Sequence, residues 1–144
     1  NNQLTDFSFN KEVDGRLIAN RLEPGKRPRS SMAPTIVLKD GKPVIIIGTP
    51  GGSNIISFVV NALVALMEWD MNIQEAVSHP HVINKWGKFE IENSPYSAKL
   101  ASSLEEMGYE ISFRNYFSGL NGILIDNEIL GGSDPRREGI ALGN

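Results

Sequence analysis

The sequence contains no cysteine among its 144 residues, which excludes a disulfide framework, a thiolate metal site and a cysteine nucleophile. Histidine occurs only twice, too few for a His-rich metal centre, and no cofactor motif stands out. Charge of neither sign dominates. With a formal net charge of −3, no global field draws the chain to nucleic acid or anionic lipid. Long apolar runs are also missing: the longest, 55–69, is broken by Ser57, Asn61 and Glu68 and is too short to cross a bilayer. No signal peptide opens the sequence. The polar opening Asn1-Asn2-Gln3-Leu4-Thr5-Asp6-Phe7, without an initiator Met, reads as the interior of a longer chain. What is present, 40% hydrophobic residues, suffices for one domain with one core, so 1–144 is taken as a single domain fragment.

Regular structure begins late. Residues 10–29 are mixed and charged, with Gly15, Pro24, Gly25 and Pro28, and read as a long loop. Thr35-Ile36-Val37-Leu38 and Val44-Ile45-Ile46-Ile47 then flank Asp40-Gly41, a strong hairpin signal. Because 44–47 is apolar at every position, it is expected to be a central strand buried on both faces. Gly48-Thr49-Pro50-Gly51-Gly52-Ser53 follows, and then Ile55, Ile56, Val59, Val60, Leu63, Val64 and Met67 recur at helical spacing, with Ser53 as the expected N-cap. Asn72 and Glu75 make a capping-box start to a short helix ending near Pro80. Residues 88–92 alternate like a strand. Ser94-Pro95 opens a helix with Tyr96, Leu100, Leu104 and Met107 on its expected inner face and Gly108 as its stop. Residues 111–113, 122–125 and 128–130 suit strands, the last two joined at Asp126-Asn127. Without a regular βαβ rhythm, the pattern predicts an α+β domain with helices on a mainly antiparallel sheet.

Several short motifs carry chemistry. Gly51-Gly52 at a helix start offers two unencumbered N–H groups at the positive end of the dipole, suited to a carboxylate, a phosphate or an oxyanion. Read alone it is first of all a tight turn that needs glycine, and it lacks the ending of a phosphate loop. Ser30-Ser31 beside Arg29 can bind a carboxylate or simply cap a turn. Gln3 and Asp6 can accept from an ammonium group. Arg21, Lys26, Arg27 and Arg29 form a basic cluster, either a solvated face or an attraction for an acidic substrate. His79-Pro80-His81 reads as structural rather than as a metal pair.

In this order and spacing the motifs form a specific set. Asn1-Asn2-Gln3-Leu4-Thr5-Asp6-Phe7-Ser8, then 25–37 with its Ser30-Ser31-Met32, then Gly48-Thr49-Pro50-Gly51-Gly52-Ser53 resemble successive signatures of the γ-glutamyltransferase family. Met71-Asn72-Ile73-Gln74-Glu75-Ala76, Trp86 and Ser133-Asp134-Pro135-Arg136 extend the resemblance over the whole length. It implies the C-terminal part of the small subunit of an N-terminal nucleophile hydrolase, a four-layer αββα sandwich of which this chain is a part. In that family a precursor cleaves itself, and the new N-terminal threonine attacks a γ-glutamyl amide with its own α-amino group as base. Water or an amino acid or peptide amine then resolves the acyl-enzyme. By resemblance Ser30 and Ser31 hold the substrate α-carboxylate with an arginine of the large subunit, Gln3 and Asp6 hold its α-ammonium, and Gly51 and Gly52 form the oxyanion hole.

Two features depart from the family pattern. The nucleophilic threonine is expected upstream of Asn1, and no Ser–His or Cys–His pair is expected to replace it, so this chain alone is expected to be inactive. The 7–29 segment, where some members carry a lid, has no tyrosine. The implied partners are a γ-glutamyl small molecule, a water, amino-acid or peptide acceptor, and the large subunit. No cofactor, nucleic acid or membrane insertion is implied, and the location is periplasmic or secreted if the source is bacterial. The alternatives are a related acylase or poly-γ-glutamate depolymerase, or a non-catalytic glutamate-binding homologue. The acceptor side is expected outside this chain.

Overall fold

A computed structural model describes residues 7–143. Here the segment read from sequence as a long loop contains a small hairpin. Strands β1 (Glu12–Val13) and β2 (Arg16–Leu17) pair antiparallel across Asp14-Gly15, and Ser8 bridges Arg21 beside them. Part of the basic cluster is neutralised locally, since Arg21 and Lys26 reach the Glu23 carboxylate at 2.7 and 3.0 Å.

Asp40-Gly41 turns as the sequence predicts, both residues at positive φ (52° and 76°), between β3 (Thr35–Lys39) and β4 (Lys42–Gly48). These strands belong to a four-stranded antiparallel sheet of order β3-β4-β8-β9, with β8 at Asn121–Ile125 and β9 at Ile129–Ser133. β4 is therefore central, as its unbroken apolar run requires. Its burial is one-sided. Ile45 and Ile47 are buried under helices, whereas Ile46 is half-buried and pairs laterally with Ile36 and Ile123 on an open face. Ile36 there is 62% exposed. The second covering layer anticipated from the sequence is not supplied by the described residues.

Helix α1 (Ile55–Glu68) packs Ile55, Phe58, Val59, Ala62 and Ala65 inward. Ser53 does not cap it. A 3-10 turn at Gly52–Asn54 precedes the helix, Asn54 occupies the cap position without a side-chain bond, and the Ser53 hydroxyl accepts from Lys85 Nζ at 2.8 Å. Helix α2 (Ile73–Ser78) has the full capping box: Glu75 N–H donates to Asn72 Oδ1 and Asn72 N–H to Glu75 Oε2, both at 2.9 Å. It lies directly on the sheet backbone. A Cβ at Gly132 would sit 2.8 Å from the Ile73 carbonyl oxygen, so only glycine admits the helix there.

A three-stranded sheet holds the remainder. β5 (Val82–Ile83) runs antiparallel to β6 (Phe89–Glu92), and β6 runs parallel to β7 (Ile111–Arg114), with α3 (Ser97–Glu106) as the crossover. The inner face of α3 is not the large-residue stripe. Ser97 and Ala101 are buried, while Tyr96 and Met107 are 81% and 70% exposed. Ser97 donates to the Glu92 carbonyl, which holds the helix start too close to β6 for a bulky residue.

Candidate active site

Antiparallel register brings the segments that carry two of the predicted motifs toward one end of the larger sheet. Thr35, which opens β3, pairs with Ile47 near the end of β4, and Gly48 pairs with Asn121, which opens β8. Asn121 in turn pairs with Ser133, the last residue of β9. The segment before β3 with Ser30 and Ser31, the turn after β4 with Gly51 and Gly52, and Asp134 after β9 therefore share that end. Thr49 Oγ1 ties the junction by accepting from Gly119 N–H at 3.1 Å.

Gly51 is fixed by what lies beneath it. Its φ is +150°, and a Cβ there would be 2.6 Å from Phe58 Cε2. Asn54 N–H donates to the Gly51 carbonyl at 3.2 Å and Ile55 N–H donates to the Gly52 carbonyl, so the bonds that close this turn use its carbonyls. Above it opens a cavity of about 320 Å3 walled by Gly51, Asn54, Phe58, Arg114, Asn115, Tyr116 and Phe117. Ser30 is exposed and Ser31 half-buried, both lie outside that wall, and Ser30 Oγ accepts from Met32 N–H at 3.3 Å. Gln3 and Asp6 lie outside the described residues.

Under the turn is a sealed polar cluster that joins His81, read from sequence as structural, and Asp134 and Arg136 of the terminal motif to Ser118, which the sequence reading did not single out. The carboxylate of Asp134 accepts from Ser118 Oγ (2.5 Å), from Leu120 N–H (3.1 Å) and from Arg136 through its N–H and guanidinium, both at 2.9 Å. The guanidinium also clamps Glu92 at 2.6 Å through Nε and Nη2, and donates to the carbonyls of Val77 and His79. Arg136 thus joins the end of α2, β6 and the loop after β9. Burial by itself would raise the Asp134 carboxyl, but the Ser118 hydroxyl and these N–H donors hold it below the usual carboxylate range.

A Ser–His pair exists, although not one that replaces the missing nucleophile: His81 Nε2 lies 2.8 Å from Ser118 Oγ. The single hydroxyl proton of Ser118 goes to Asp134, so the ring must donate from Nε2, leaving Nδ1 bare. Among the described residues Nδ1 has no hydrogen-bond partner. The ring lies against Phe58 (centroids 4.1 Å apart) and edge-on to Tyr116, and burial, aided by Arg136, pushes its pKa down to about 4. Ser118 is 0% exposed and hydrogen-bonded to a carboxylate, so it is no nucleophile. Phe58 rests on this histidine, so the cluster supports the floor of Gly51. No signal near Ser118 announces it, because its partners stand 16 and 37 positions away. Among the described residues no three His, Asp or Glu side chains gather as a metal site, and no helix is long and apolar enough to cross a membrane.

The gamma-glutamyltranspeptidase family model matches residues 1–144. The chain belongs to that family. It is 36% identical to the glutathione hydrolase proenzyme of Escherichia coli, over 94% of this chain and 25% of that protein, and 38% identical to one from a Pseudomonas species, over 99% and 28%. This chain thus spans about a quarter of the length of these relatives. A Helicobacter pylori gamma-glutamyltranspeptidase mutant superposes with a TM-score of 0.77 at 36% identity, over 95% of this chain and 80% of that one. The chain is accordingly part of the α+β fold of N-terminal nucleophile hydrolases.

Proposed function

We propose that this chain is the C-terminal portion of the small subunit of an enzyme that transfers or hydrolyses γ-glutamyl groups, with glutathione among its donors. The observation that carries the proposal is the Gly51-Gly52 turn. It stands at the wall of an open cavity, excludes any side chain at Gly51, and shares its end of the sheet with Ser30 and Ser31. Its N–H groups polarise the γ-carbonyl and stabilise the oxyanion as a threonine, carried on a segment before Asn1, attacks. Ser30 and Ser31 hold the α-carboxylate together with an arginine of the large subunit, and Gln3 and Asp6 hold the α-ammonium. The open face around Ile36, Ile46, Ile123 and Ile129 takes the second sheet of the four-layer sandwich, with the large subunit as partner. The 7–29 segment forms one wall of the substrate entrance.

The serine assignment is tested in the complete, processed enzyme with two donors. γ-Glutamyl anilide carries the α-carboxylate, and 4-aminobutyryl anilide has the same chain and amine without it. Changing both Ser30 and Ser31 to Ala is expected to lower kcat/KM for the first by about 10- to 100-fold, the range of one or two charge-assisted hydrogen bonds, and to leave the second little affected. A double variant that keeps its full preference for the carboxylate-bearing donor removes these serines from the site.

A further inference from the structure

A second cavity, of about 250 Å3, adjoins the one beside Gly51. Asn54 and Arg114 line both, so the two share a wall and flank one another as parts of one surface cleft. The far part is walled by Ser53, Lys85, Trp86, Lys88 and Glu90. Three cations against one carboxylate give this lining a positive balance on a chain whose net charge is −3. Not all of that charge is available. Lys88 pairs with Glu110 at 3.1 Å, and Arg114 pairs with Glu90 at 3.2 Å, whose other oxygen accepts from Tyr116. Lys85 differs: its ammonium is held by the neutral hydroxyl of Ser53, leaving further N–H donors for a ligand. The backbone explains its position. Gly87 at φ +90° reverses the chain after Trp86, with Asn84 Nδ2 donating to the Gly87 carbonyl at 3.0 Å, so Lys85 projects toward the start of α1.

We propose that this cleft, with Lys85 as its principal anchor and Arg114 at the junction, binds the free α-carboxylate of the amino acid or short peptide on the amine side of the γ-glutamyl bond. That group is the acceptor in transfer and the leaving portion of a peptidic donor. The proposal rests on the reading of Gly51 and Gly52 as the oxyanion hole, and it returns part of the acceptor side to this chain. A carboxylate on Lys85 places the acceptor between the cations and the acyl carbonyl, and its indole-facing portion lies against Trp86, which is 86% exposed. The same cations serve the chemistry. Positive neighbours disfavour the acceptor's ammonium form, and only the neutral amine can attack. Its lone pair forms the new C–N bond to the γ-carbonyl carbon, the ester C–O bond to the threonine breaks, and one amine proton ends on the released threonine oxygen.

The test uses the complete, processed enzyme with γ-glutamyl anilide as donor, whose leaving group has no carboxylate. Acceptors are glycylglycine and glycylglycine amide, which differ only in that charge. The wild type is expected to prefer glycylglycine, and Lys85→Met is expected to raise KM for glycylglycine about tenfold, the equivalent of one charged contact, while KM for the amide stays put. Arg114→Gln is expected to act in the same direction, and Lys42→Met, at the opposite end of β4, to alter neither. Equal use of both acceptors by the wild type, or an unchanged glycylglycine preference in Lys85→Met, overturns the proposal. A wild-type enzyme that does not turn over the donor at all refutes the γ-glutamyl reading itself, a separate outcome.

Discussion

Two polar regions lie within a few side chains of one another at the same end of the sheet, and they invert ordinary expectation. The lower one contains serine, histidine and aspartate in hydrogen-bonded contact, the usual ingredients of a nucleophilic centre. Yet Ser118, His81 and Asp134 are all no more than 2% exposed, and the serine proton is committed to a carboxylate. The upper one centres on two glycines of a turn, with no serine or histidine beside them in the wall of the open cavity that Gly51 faces. In the proposed reading it is access to an open cavity that marks the site, and side-chain identity misleads. The sealed cluster supports the open turn through Phe58, which stacks on His81 and excludes a Cβ from Gly51.

If the lower region is structural, breaking it should cost stability first. Arg136 joins Glu92 and Asp134 in a largely buried network, so Arg136→Met strands two carboxylates. A loss of about 3–5 kcal/mol is expected in urea unfolding of the complete enzyme, the cost of leaving a buried charge without its partner. A variant within about 1 kcal/mol of wild type would show that the network is not the keystone described here.

A smaller and pH-dependent effect sharpens the same contrast. His81 is neutral in the folded protein because its pKa is pushed down to about 4, against about 6.5 for an unperturbed histidine. Between those values the unfolded chain binds a proton that the folded one refuses, so this residue makes stability fall as pH drops from about 6.5 to about 4. The contribution amounts to roughly 3 kcal/mol over that window. His81→Gln retains a donor to Ser118 and cannot titrate, so its unfolding midpoint should decline less steeply with acid than the wild type's. Parallel declines would mean that His81 is not held neutral.

How far the sequence foretold this depends on the range of each interaction. The β3–β4 turn and the α2 capping box follow from neighbours a few positions apart, and each appears as read, whereas of the stripe read for α1 only Ile55 and Val59 are buried: Phe58, Ala62 and Ala65 take the other inner positions, and Ile56, Val60 and Met67 lie on the exposed face. The stripe on α3 failed because Tyr96 and Met107 satisfy helical spacing equally well on an outer face. The Ser53 cap failed because Lys85, 32 positions away, holds its hydroxyl. The 7–29 segment contains a hairpin, at 12–17, too short for periodicity to reveal. Of the proposed site, the glycine and serine motifs were legible as motifs, but the end of the sheet that both approach is set by strand register. The Ser118–His81–Asp134 cluster was invisible, being assembled from three separate segments.

The most direct measurement compares the two regions in one experiment: single-turnover acylation of the complete enzyme by γ-glutamyl anilide, per folded molecule, in Gly51→Ala and in Ser118→Ala. Alanine at Gly51 must push the turn off Phe58 and misdirect its N–H groups, so acylation should slow by about 10²–10³, as when one oxyanion donor is lost. Ser118→Ala should lower the unfolding midpoint yet acylate within a few-fold of wild type once folded. The reverse result, with Gly51→Ala acylating normally and folded Ser118→Ala inert, would place the chemistry in the sealed cluster and contradict the account.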